Sequence, residues 1–120
     1  MTNSRQKGAR FERLLASKLR EYGFDDARRG VQYCGMTGAA DVVGLPGIHI
    51  EAKHNEHLNI FDAMDQSVRD AKNGEIPVVI HKKNNTDILC TMKLSDWIDI
   101  YREWVSGFDE RLCKDSQKDN

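Results

Sequence analysis

Asp41, Glu51 and Lys53 are the residues whose types and spacing best suit chemistry in this chain. They lie in AADVVGLPGIHIEAK, residues 39–53, which reads as two short strands joined at Pro46-Gly47, a turn signal. Ala39 to Leu45 is apolar and β-branched around Asp41, and Ile48 to Lys53 alternates with a period of two. Side chains along a strand point alternately to opposite faces. Ile48, Ile50 and Ala52 therefore share one face, and His49, Glu51 and Lys53 share the other. A hairpin folds Asp41 back beside Glu51. Two carboxylates with one ammonium on adjacent strands suit a divalent cation with a fixed positive charge next to it. Phosphodiester hydrolysis needs these parts: the phosphate neutralised, a water activated and the leaving oxygen stabilised. Mg²⁺ is hard and is commonly held by one or two carboxylates plus waters and phosphates. One or two such ions polarise a phosphoryl oxygen and generate a hydroxide-like nucleophile. A lysine beside them stabilises charge that develops in the transition state.

These residues need elements to carry them. Arg5 to Tyr22 reads as an amphipathic helix with Phe11, Leu14, Leu15, Leu19 and Tyr22 on one stripe, and Gly23 stops it. Phe24 to Arg29 reads as a short strand. Gly30 to Gly38, with Gly35 between, reads as a mobile loop leading into the Asp41 strand. Leu58 to Lys72 has helical periodicity with Phe61, Met64, Val68 and Ala71 inward, ended by Asn73-Gly74. Ile76 to His81 is a continuous apolar run of the kind found in central strands. Asn84 to Asp87 reads as a turn and Ile88 to Met92 as a further strand. Ser95 is a good N-cap for a third helix through Val105, with Trp97, Ile98, Tyr101, Trp104 and Val105 as its apolar face. The order of helix, strands, helix, strand, strand, helix predicts an α/β domain with a mixed central sheet. A single domain is expected over residues 1–113, followed by a polar C-terminal tail over 114–120.

Bulk properties narrow the class. One compact domain suits 120 residues, and 39% hydrophobic with 31% charged residues suits a globular protein. No apolar run approaches the roughly 20 residues of a membrane-spanning helix, and Met1 to Lys7 has no apolar signal segment. Cys34, Cys90 and Cys113 are odd in number and lack metal-type spacing, which fits a reducing cytoplasm. A net charge of −1 does not announce a nucleic-acid binder. Its distribution says more: Arg5, Lys7, Arg10 and Arg13 crowd the first helix, with Arg28 and Arg29 after it. For any one cluster an ordinary solvated surface is the simpler reading. Together, Arg5, Lys7, Arg10 and Arg29 make a track for a DNA backbone.

The pattern Asp41 … Glu51-Ala52-Lys53 resembles the signature of the PD-(D/E)XK nuclease superfamily, with Ala40 where a proline often precedes the aspartate. Lys7-Gly8-Ala9-Arg10-Phe11-Glu12 places a glycine four residues before a helical glutamate, Arg28-Arg29-Gly30 approaches Asp41, and Asp65-Gln66 follows on a helix. In this order the chain is similar to the archaeal-type Holliday junction resolvases and their phage and bacterial relatives, from about Arg5 to Tyr101. The resemblance implies a restriction-endonuclease-like fold, Mg²⁺ as cofactor with Mn²⁺ able to substitute, and a homodimer acting on branched DNA. It implies metal binding by Asp41 and Glu51, assistance by Lys53, a metal or water-mediated role for Glu12 and a supporting role for Gln66. A loop hydroxyl is usual ahead of the aspartate; Gln32, Tyr33 and Thr37 are the residues on offer.

Simpler readings stand beside these. Glu12 suits a surface ion pair with a neighbouring arginine, Gln66 suits exposed helix, and Glu51-x-Lys53 is common on solvated strand faces. His54 and His57 lack companion ligands for zinc and read as loop surface; His49 either touches the site or sits at the hairpin. Trp97, Tyr101 and Trp104 have the spacing of core or of a dimer interface. The function expected is a Mg²⁺-dependent endonuclease, in the first place a Holliday junction resolvase. The alternatives are a nicking, repair or replication-associated nuclease of the same superfamily, or, from another class, an inactive DNA-binding module or a subunit of a larger complex.

Overall fold

The computed structural model describes the backbone of residues 4–30 and 39–118, and side chains over 5–30 and 39–107. The glycine-rich stretch with Gln32, Tyr33 and Thr37 lies outside the described residues. The elements are α1 (Ser4–Glu21), β1 (Arg28–Arg29), β2 (Val42–Val43), β3 (Ile48–His54), α2 (Ile60–Asp70), β4 (Ile76–Lys82), β5 (Leu89–Met92) and α3 (Leu94–Lys118). The five strands form one sheet in chain order, β1-β2-β3-β4-β5. Only β3 and β4 run parallel; the other pairs are antiparallel. This mixed sheet between helices is an α/β architecture consistent with the restriction-endonuclease-like fold.

The alternation of β3 divides the structure into two sides. Ile50 and Ala52 join Phe11, Leu15 and Ala16 of α1, with Val42 and Val78, in the main core. Each large side chain buried there stabilises the fold by roughly 1.5–3 kcal/mol. His49 and Glu51 point the other way, toward α2, and both are 2% exposed. α2 starts at Asn59, whose side chain accepts from the N–H groups of Phe61 and Asp62. Its sheet-facing residues are small: Ala63 and Ser67 are buried, and the Ser67 hydroxyl donates to the Val78 carbonyl at 3.0 Å.

That contact corrects the expected inward face of α2. Phe61 is 79% exposed and Val68 43%; the helix lies close to β4 because its short residues face the sheet. The strand expected from Phe24 shrinks to Arg28–Arg29, since Phe24 to Ala27 forms a turn in which the Ala27 N–H donates to the Phe24 carbonyl. α3 starts at Leu94, so Ser95 lies inside its first turn and is not its cap. It also runs to Lys118, through most of the stretch that reads as a polar tail.

At about 1.5 Å per residue, α3 is as long as the rest of the domain is wide. It packs only lightly against the other elements. The radius of gyration is accordingly 17.2 Å, against about 14 Å for a compact domain of this length. Trp97, Tyr101 and Trp104 are therefore not core residues. They stack along α3, with ring centroids 5.3 and 5.8 Å apart, and are roughly half exposed. Among the described residues no helix is long and apolar enough to cross a membrane.

Candidate active site

Asp41 enters the site through the hairpin. Val42 pairs with Ile50 in antiparallel register, and continuing that register by one residue sets Asp41 opposite Glu51. The Asp41 N–H donates to the Ile50 carbonyl at 2.9 Å, and the Ala52 N–H donates to Asp41 Oδ2 at 2.9 Å. Both ends of Asp41 are thus tied to β3. Two glycines make the tie possible. A Cβ on Gly30 would strike the Ala40 carbonyl, and the Gly30 N–H donates to the Asp41 carbonyl. Gly44 has φ +108° and lies against the Asp26 carbonyl.

A cleft of about 600 Å³ opens here, lined by Arg5, Glu12, Arg29, Asp41, Lys53 and His54, among others. Glu12 reaches it from the exposed flank of α1, while Phe11, its neighbour, enters the core. The Glu12 carboxylate accepts from Arg29 Nε at 2.9 Å. Burial holds the Glu12 carboxyl above its ordinary range; the Arg29 hydrogen bond pulls it back, the Asp41 charge raises it, and the charges of Arg29 and Lys53 lower it. Glu12, Asp41 and Lys53 therefore feel one another across the cleft.

Glu51 stands on the far side of Asp41 and does not line the cleft itself. Its carboxyl is pushed up to about 8, first by burial, then by the charge of Asp41 and a hydrogen bond with it; Lys53 opposes the rise and Asp70 adds to it. Two carboxyls sharing a buried site cannot both ionise cheaply. A positive charge between them relieves that repulsion, and the donors are hard oxygens, so the pair fits a divalent ion such as Mg²⁺ or Mn²⁺.

The structure brings Asp41, Glu51, Lys53 and Glu12 together, and it places Arg5 and Arg29 on the same cleft. Arg5, Arg10, Arg13 and Arg29 line a shallow surface that continues it, and Lys7 and Arg10 line another with His54 and Asn84. Gln66 is half-buried on α2, one turn before Asp70, and is not in the cleft. His54 bonds Asn84 Oδ1 at 2.9 Å, and His81 bonds Thr91 at 2.8 Å; both tie strands to their surroundings.

Two neighbours of Glu51, Asp70 and Glu75, were not singled out from sequence, and a third, His49, had been left between touching the site and sitting at the hairpin. His49 Nε2 lies 2.8 Å from Glu51 Oε1, and its Nδ1 lies 3.9 Å from Glu75. Donor atoms of His49, Glu51 and Asp70 all fall within 4.8 Å of one another. The signal for His49 was its place two residues before Glu51 on the same strand face. Asp70 and Glu75 are distant in sequence and carry no such signal.

No curated protein and no solved structure matches the chain. One protein family does, over residues 3–112, nearly the full length and all the residues of the cleft. By that match the chain belongs to the family described as phage putative PDDEXK endonuclease, a nuclease of the PD-(D/E)XK type.

Proposed function

We propose that the protein is a divalent-metal-dependent endonuclease that cuts branched DNA, in the first place four-way Holliday junctions, and that it works as a homodimer with Mg²⁺, which Mn²⁺ can replace. The observation that carries this reading is Asp41 itself, which lines one cleft with Glu12 and Lys53 beside a basic edge of α1 and shares a buried contact with Glu51 behind it.

In this reading Asp41 and Glu51 hold the cation, which when bound neutralises the scissile phosphate and acidifies a water. The Lys53 ammonium sits at the rim of the cleft and stabilises negative charge on the phosphate oxygens as it develops. Arg29 fixes the Glu12 carboxylate, which supports the metal site directly or through a water. Gln66 supports the Glu51 side from α2. Arg5, Lys7, Arg10 and Arg29 follow the backbone of the DNA. Such contacts fix position and carry little sequence information, which suits an enzyme that reads shape. Two strands of a junction need two equivalent sites, and a two-fold dimer supplies them. The exposed aromatic face of α3 supports such an association.

The test is cleavage of a labelled four-way junction and a matched linear duplex with Mg²⁺ or Mn²⁺, with the mass of the protein measured in solution. Metal-dependent, symmetric cuts in the junction are expected, lost in Asp41→Asn. Equal cleavage of both DNAs by a monomer refutes the junction reading and leaves a nuclease of other substrate. Full cleavage by Asp41→Asn refutes the site.

A further inference from the structure

We infer that His49 is a positioning residue: its Nε2–H holds one carboxylate oxygen of Glu51, Oε1, so that the other oxygen is presented toward Asp41 and the cation. The inference rests on the proposed metal site and adds to it a residue that the motif does not contain.

The alternation of β3 puts His49 and Glu51 on one face, two residues apart, at about 7 Å between their Cα atoms. Both side chains are shut off from water, at 2% exposure each. A buried polar group without a partner costs roughly 1–3 kcal/mol, and here each supplies the other's partner at 2.8 Å. A carboxylate that binds a cation has no proton left to share. The proton in this bond must then sit on His49 Nε2, which makes the ring the donor and the Glu51 oxygen the acceptor.

The lining of the cleft favours holding over ligating. The cleft with Asp41 and Lys53 lies on one side of Glu51, and His49 does not line it. The neighbours of His49 besides Glu51 are Asp70, with a carboxylate oxygen within 4.8 Å, and Glu75, at 3.9 Å from Nδ1; neither of these lines the cleft. His49 therefore backs Glu51 as outer partners back the ligands of metal sites. Such partners fix the orientation of the ligand, and their removal typically costs 10–100-fold in metal affinity.

The experiment measures Mn²⁺ binding to the full chain by calorimetry and by electron paramagnetic resonance, for wild type, Asp41→Asn, His49→Leu, His49→Gln and His49→Asn. Circular dichroism and urea unfolding report on folding in the same preparations. His49→Leu is expected to weaken Mn²⁺ binding by about 10–100-fold with unchanged stoichiometry, and saturating Mn²⁺ to restore cleavage. The Gln amide N–H reaches the position of Nε2 and is expected to recover most of the affinity; the shorter Asn amide is not. Should His49→Leu fail to fold, the contrast between Gln and Asn still decides. Equal affinity in Gln and Asn overturns the inference, as does unchanged affinity in a folded Leu variant. A fall in stoichiometry that Gln does not restore makes His49 a ligand and overturns it too. If wild type binds no Mn²⁺, the metal site itself fails. If wild type binds, Asp41→Asn does not, and the His49 variants match wild type, only this inference fails.

Discussion

Replacing Glu51 by Gln preserves the shape of the side chain and removes its titration, which turns the buried carboxyl into a measurable slope. The folded protein keeps the Glu51 proton up to about pH 8, whereas the ordinary value, which an unfolded chain has, is 4.5. Between those two values the folded state binds more protons than the unfolded state. Wild-type stability from this group is therefore fully present below 4.5 and is lost as pH rises through about 8, at about 1.4 kcal/mol per pH unit. Over the whole interval the loss has a ceiling of about 5 kcal/mol. In the presence of a chelator, Glu51→Gln should gain on wild type by about 2–3 kcal/mol between about pH 6 and pH 8. Urea unfolding of both proteins at half-unit pH steps measures it. Metal reverses the order: at a hundredfold excess over its dissociation constant a bound ion stabilises wild type by about 2.7 kcal/mol, while the Gln variant gains little. A stability difference that stays flat from pH 6 to 8 would refute the claim that a buried carboxyl, raised by its neighbours, sits at the centre of this site.

Lys53→Ala should lower cleavage by about 10²-fold or more and leave the urea midpoint nearly unchanged, since Lys53 lies at the rim of the cleft; single-turnover rates check the first and unfolding the second. Arg10→Ala should lower the salt slope of junction binding by about one for each phosphate that the arginine neutralises, read from affinities across a salt series. Gly30→Ala should destabilise the protein by roughly 1–3 kcal/mol because the added Cβ meets the Ala40 backbone, and should slow cleavage by displacing Asp41; an unfolding midpoint equal to wild type would contradict that geometry.

The parts of this molecule legible in its sequence are those with a short period or a tight turn. β3 alternates cleanly, so its two faces and the pairing of Asp41 with Glu51 followed from residue types alone. In α1 the expected stripe held at Phe11, Leu15 and Leu19, while Leu14 and Tyr22, expected on it, are exposed at 43% and 79%. α2 was read on the wrong face. Its large apolar residues, Phe61 and Val68, make a helical stripe, yet the sheet demanded close approach and received Ala63 and Ser67. Burial of small residues leaves almost no periodic signal. The aromatic spacing of α3 marked an apolar face without showing that the domain leaves it uncovered. At the site, Glu12 is both the ion-paired helix residue of the simpler reading and a neighbour of Asp41. Asp70 and Glu75 meet Glu51 only through the packing of α2 on the sheet, which no local pattern encodes.

The strands lie side by side in the order in which the chain is made. Each joins a sheet whose last edge was laid down just before it, and only the parallel β3–β4 step needs a helix-length detour. During synthesis, the segment through β3 emerges first and already contains Glu12, Asp41, Glu51 and Lys53. The wall that removes Glu51 from water is made of α2 and β4, which follow. A nascent chain ending at Lys53 carries all four of these residues and lacks that enclosure, so its carboxylates stay hydrated. Preorganised electrostatics arise only in a closed site. In the proposed reading, the site therefore stays open until β4, which ends at Lys82, has been made and has docked on β3.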